Sequence, residues 1–152
     1  MPNPFRYYLR VRYGECDMQR VVFNGHYGTY VDLACTEFLT AILPNRHDLT
    51  SGKFEFQLVR QVIEWTAPAR FAEVIEITVR CARVGTTSFH LAFEFRKPGE
   101  PAPFVTAQTV NVLVDGQTWK KTPIGAALKE RLETGAPGLC IDHAGYLTRL
   151  GS

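Results

Sequence analysis

Three observations predict an α+β domain in which an antiparallel sheet curls around one long helix. A single helical period runs through residues 25–43, four strand-like segments follow it in succession, and the links between them are too short for helical crossovers. The chain opens with a strand over residues 5–13, where Tyr7, Leu9, Val11 and Tyr13 alternate with Tyr8, Arg10 and Arg12, and Gly14 breaks the run. In the helical segment Tyr27, Tyr30, Val31, Ala34, Phe38 and Ile42 recur at three- and four-residue steps, a wide aromatic face suited to packing on a sheet, and Pro44 ends it. Residues 54–65, 74–84, 86–96 and 103–115 read as strands. Ile75, Ile77, Val79 and Cys81 share one face and Phe89, Leu91, Phe93 and Phe95 another, while Thr106, Gln108, Val110, Val112 and Val114 make a mixed one. Gly85 marks a tight hairpin, and residues 97–103 mark a longer one. Thr122 and Pro123 signal the cap and first turn of a last helix carrying Leu128 and Leu132, and the glycines from Gly135 onward suggest a loose tail.

With 152 residues, 45% of them hydrophobic and 21% charged, the chain has the balance of one folded globular domain. Seventeen basic against fifteen acidic residues leave a charge of +2, and no Lys/Arg run forms the stripe of a nucleic-acid binder. No basic head with an apolar signal core opens the chain, and no apolar run is long enough to span a bilayer, so a cytoplasmic protein that meets no membrane is expected. Cys16, Cys35, Cys81 and Cys140 are irregularly spaced and read as reduced thiols.

Several chemistries are excluded by absent motifs: there is no GxSxG, GxxxxGK, GxGxxG or HExxH. His26, His47, His90 and His143 lack metal-ligand spacing, so no metal is expected. What remains is the loop of residues 15–25, which carries Asp17 straight into the start of the long helix. The free N–H groups of a first helical turn, around Asn24, Gly25 and His26, carry partial positive charge and can bind the oxygen of a polarised carbonyl. A carboxylate beside them can attack the carbonyl carbon or activate a water, and a thioester suits such a site because its thiolate leaves without a general acid. An Asp before a helix also serves commonly as a turn or capping residue.

The residues of this region resemble the hotdog-fold acyl-CoA thioesterases of the 4-hydroxybenzoyl-CoA thioesterase type. Asp17, Val21, Val22, Phe23 and Tyr27 match that family's signature. The helix continues the likeness with Tyr30, Asp32, Ala34, Glu37 and Phe38, and Arg10, Val11, Arg12 and Tyr13 match its first strand. Pro68, Ala69, Arg70 and Phe71 fall at a Pro-Ala-x-aromatic turn, and Ser88 at a strand Ser. The likeness covers about residues 5–132.

It implies the hotdog fold, a five-stranded antiparallel sheet wrapped around one long central helix, in a domain of residues 1–134 with 135–152 as a loosely packed tail. By the same resemblance Asp17 is the catalytic nucleophile or general base, Asn24 offers the backbone N–H that polarises the thioester carbonyl, and Tyr13 supports the Asp. Phe23, Gly25 and His26 are then expected to bind substrate. Arg20 stands where the family has Gly, a residue that serves an unusual backbone angle or a close approach, and Glu73 replaces an Asp.

The implied reaction is hydrolysis of acyl-CoA to free acid and coenzyme A, with no cofactor, since coenzyme A belongs to the substrate. A homodimer, or a tetramer of two dimers, is implied because such units pair edge to edge with sites at the interface. Arg60, Arg70, Arg83 and Arg96 are available to coenzyme A phosphates. A thioesterase acting on acyl carrier protein and a non-catalytic acyl-CoA-binding module are the alternatives.

Overall fold

The computed structural model describes residues 3–150. Strand β1 (Phe5–Arg10) leads through one 3₁₀ turn (Tyr13–Glu15) into helix α1 (His26–Ile42), followed by β2 (Glu55–Trp65), β3 (Val74–Val84), β4 (Ser88–Arg96) and β5 (Val105–Val114). Helix α2 (Ala126–Thr134), β6 (Cys140–Asp142) and α3 (Tyr146–Leu150) complete it. The strands form one sheet in the order β2-β5-β4-β3-β1-β6.

That sheet corrects the expected five antiparallel strands: it has six, and β6 pairs parallel with β1. Within the segment read as a loose tail, Cys140–Asp142 thus belongs to the sheet, with Arg6 N–H donating to Leu139 O (3.0 Å) and His143 N–H to Tyr8 O (2.9 Å) beside it. Nor does one helix cover the sheet alone, since α2 packs on β3 beside α1. The predicted cap of the second helix is also displaced. Gly125 is its N-cap, whereas Thr122 N–H bonds Leu113 O (2.9 Å) and prolongs the β5 edge.

Helix α1 buries Tyr27, Tyr30, Val31, Ala34, Phe38, Leu39 and Ile42, the stripe its period predicts. It stops where Leu43 turns extended (φ −74°, ψ 152°), the conformation that a following Pro44 imposes. Against this stripe stand Ile75, Ile77 and Val79 of β3 and Phe89, Leu91, Phe93 and Phe95 of β4, all buried, with alternate residues on the outer side. Edge-to-face pairs such as Phe5 with Phe38 (5.6 Å) and Phe56 with Phe89 (5.3 Å) fill the core between layers. Strand β2, at one end of the sheet, breaks register between Leu58 and Arg60 and leaves Leu58, Val59 and Trp65 exposed. An apolar, unpaired edge of this kind invites another strand. Among the described residues no helix is long and apolar enough to cross a membrane.

Candidate active site

The link from β1 to α1 is a folded hairpin. Cys16 bridges Val22, Asp17 N–H donates to Val21 O (3.0 Å), Phe23 N–H donates to Glu15 O (2.9 Å), and Arg20 N–H closes the tip on Asp17 O (2.9 Å). Asp17 Oδ1 accepts the N–H of Gln19 (2.8 Å), so one carboxylate oxygen makes a local turn, and Oδ2 has no protein donor among the described residues. Asp17 does not cap α1, whose N-cap is Gly25, with no side-chain bond.

The tip requires a left-handed residue, and Arg20 supplies it at φ 66°. This is the unusual backbone angle that explains the family glycine at this position, met here by a residue whose Cβ makes it costly. Arg20→Gly is expected to raise stability by about 0.5–1 kcal/mol in urea denaturation, because relief of the strain exceeds glycine's entropic cost. An unchanged or lower stability would mean that the arginine side chain compensates for its backbone.

Below the hairpin, Glu15 locks the loop to the helix. Its carboxylate is only 7% exposed and accepts the Tyr30 hydroxyl (2.9 Å), the Arg12 N–H (2.7 Å) and the Arg12 guanidinium (2.9 Å). Burial pushes this carboxyl up, but the Arg12 and Tyr30 hydrogen bonds outweigh it and hold the group below its ordinary value. The Tyr30 hydroxyl is pushed upward in turn, first by burial, then by its hydrogen bond to Glu15 and by that group's charge. A second brace comes from residues 68–72, where Val22 N–H donates to Ala69 O (2.9 Å) and Ala69 N–H to the buried Tyr27 hydroxyl (3.2 Å). Tyr27 is thus a core aromatic that also orders this turn.

These braces bring Tyr13 and Asp17 together on an open cavity of about 550 Å3, walled also by Cys16, Met18, Arg20 and Phe71. Tyr13 is 81% exposed and meets Phe71 edge to face at 5.8 Å, and Met18 is fully exposed. A carboxylate therefore sits among exposed apolar side chains. The other expected residues lie at the start of α1, not on this wall. His26 N–H donates to Phe23 O (2.9 Å) and Tyr27 N–H to Asn24 O (3.3 Å), whereas the N–H groups of Asn24 and Gly25 have no protein acceptor among the described residues. Phe23 lies over Gly25, where a Cβ would come within 2.9 Å of its ring, and stands 6.0 Å from the His26 ring. Glu15, Met18 and Phe71 were not singled out from the sequence as site residues, although Phe71 ends the Pro-Ala turn. Of the arginines considered for phosphates, Arg60, Arg70 and Arg83 are exposed on separate segments, and Arg96 pairs with Glu94.

The sequence model of the thioesterase-like superfamily matches residues 11–132. The chain belongs to that superfamily. As one of its members, it is similar to the acyl-CoA thioester hydrolase YbgC of Escherichia coli, 29% identical over 84 residues, which are 55% of this chain and 63% of that protein. The chain thus spans less than two thirds of the curated relatives it matches. Among solved structures, the gentisyl-coenzyme A thioesterase BH1999 superposes with a TM-score of 0.74 at 25% identity, covering 84% of this chain and 98% of the other. Slr0204, a 1,4-dihydroxy-2-naphthoyl-CoA thioesterase from Synechocystis, superposes equally well at 0.74 and 20% identity, covering 86% and 96%. This superfamily member has an α+β hotdog fold, and the matched segment contains the whole Asp17 hairpin and α1.

Proposed function

We propose that the chain hydrolyses acyl-CoA thioesters to free acid and coenzyme A. Asp17 acts as nucleophile or general base, and the α1 N-terminus polarises the carbonyl through the free N–H groups of Asn24 and Gly25. The observation that carries this reading is the Asp17 carboxylate, with one oxygen free of protein donors, on an apolar cavity in the loop that feeds the helix. Its oxygen, or a water that it deprotonates, adds to the thioester carbon, and the tetrahedral oxyanion then collapses with expulsion of the coenzyme A thiolate. Through the first route water next hydrolyses the mixed anhydride; through the second the acid forms directly. Family membership and the names of the similar proteins support the substrate class.

The active unit in this reading is a homodimer, alone or paired into a tetramer. A second chain added at β2 covers Leu58, Val59 and Trp65 and encloses the acyl group between subunits. Sedimentation should accordingly find at least twice the 17.1 kDa chain mass, and a strictly monomeric, fully active protein would refute the dimer. The function is tested by thiol release over short, long, branched and aromatic acyl-CoAs. Turnover of at least one is expected. Tight binding without turnover across the panel would replace hydrolysis by a ligand-binding role, and turnover of acyl carrier protein thioesters alone would change the carrier.

A further inference from the structure

A second cavity, about 310 Å3, lies on the outer side of the sheet over β1, β3 and β4. Strand register builds it: Arg6 stands opposite Thr78, Thr78 opposite Glu94, and Glu76 opposite Arg96, with Arg80 one step further along β3. All of these side chains line the cavity, on the face opposite to the buried Ile75 and Ile77.

Its charges are incompletely paired. Arg6 Nε is the one buried side-chain nitrogen or oxygen among the described residues that lacks a hydrogen-bond partner. An N–H on a permanently charged guanidinium is among the costliest groups to bury without an acceptor. The nearby carboxylates are engaged elsewhere, Glu76 accepting the Tyr8 hydroxyl (2.7 Å) and Glu94 held by Arg96. Neither Arg6 nor Arg80 has an ion-pair partner among the described residues.

The geometry points to this cavity as a binding site for a phosphate group, separate from the Asp17 cavity. The guanidinium groups of Arg6 and Arg80 line this cavity without an ion-pair partner among the described residues, beside Arg96, which is held by Glu94 and by Pro101 O (3.0 Å), and together they offer more donors than a carboxylate can accept. Glu76 and Glu94 decide which oxyanion enters. A phosphate carrying one proton can donate it to a carboxylate, whereas sulfate has no proton to give and meets only repulsion there. Inorganic phosphate and the phosphomonoester of a nucleotide share this chemistry.

Isothermal titration at about pH 5, roughly one unit below a phosphomonoester's second pKa so that both carry a proton, separates these sources and tests the site. The full chain is titrated with inorganic phosphate, adenosine 3′,5′-bisphosphate and sulfate. Saturable binding of one phosphate per chain is expected, weakened about tenfold or more in Arg80→Gln and in Arg6→Gln, with sulfate weaker by a similar factor. Bisphosphate binding tighter than phosphate, and lost in the same variants, makes the ligand a nucleotide; equal or weaker binding makes it free phosphate. Arg80 is exposed, so Arg80→Gln decides the matter if Arg6→Gln fails to fold. Asp17→Asn leaves phosphate binding unchanged, which keeps this result apart from the fate of the thioesterase reading. Absence of saturable binding, affinity unaltered in a folded Arg80→Gln protein, or sulfate binding as tightly as phosphate would each overturn the site.

Discussion

Asp17→Asn is expected to lower acyl-CoA turnover by on the order of a hundredfold or more while leaving the melting temperature within experimental error. The two halves of this result come from two oxygens. Oδ1 accepts the Gln19 N–H, and an asparagine Oδ1 accepts the same bond, so the hairpin tip is preserved. What the substitution removes is the charge that attacks the thioester carbon or takes a proton from water. A stable protein with normal thiol release would reduce Asp17 to a turn residue, the ordinary role of Asp in such a loop. A protein that loses both stability and activity would place the effect in the hairpin instead. Asp17→Ala, which removes the turn bond as well, gives the comparison that separates them.

Glu15→Ala is expected to cost about 3 kcal/mol of stability, read as a shift in the urea midpoint at constant slope. Most of this arises because the Tyr30 hydroxyl and the Arg12 N–H lose their acceptor, the former inside the core. Tyr30→Phe removes only the donor and is expected to cost about 1 kcal/mol, leaving the carboxylate with Arg12. The two losses should fall short of additive in the double variant, because both remove the same hydrogen bond. The folded-state carboxyl lies below its ordinary 4.5. Its stabilisation is therefore fully present above that value and is lost as pH falls toward the depressed one. The acid limb of the stability curve should then be flatter in Glu15→Ala than in the wild type. Parallel acid limbs would show that the carboxylate is no better held in the folded chain than in the unfolded one.

Strands whose burial obeys a period are legible in the sequence alone. Residues 74–84 form β3 at the bounds the alternation predicts, and α1 ends at Ile42 because Pro44 and the buried stripe agree. Cys140, Ile141 and Asp142 were not legible as a strand because three half-buried residues show no alternation, and their partner β1 is remote in sequence. Thr122 misled as a cap because a Thr-Pro pair suits a helix start and a strand end alike, and the bond to Leu113 decided between them. In the site, Asp17 was visible through its place before α1. The setting of Tyr13, Met18 and Phe71 around it was not, since periodicity encodes which side chains are buried and these are exposed. The lock at Glu15 is a three-way arrangement among Arg12, Glu15 and Tyr30, and its second half comes from a helix face that the aromatic stripe alone already explained.

Strand β1 is flanked by β3 on one side and by β6 on the other. On the ribosome, its first neighbour is complete only when residue 84 has emerged and its second only at residue 142, so one edge of an early strand waits for most of the chain. Pairings this distant in sequence form slowly, and during that interval Tyr7, Tyr8 and Leu9 lie on a strand whose N–H and C=O groups are free to join a neighbouring nascent chain. Slower elongation between residues 85 and 142 should accordingly favour aggregation during synthesis, and a holding chaperone that shields this strand should relieve it.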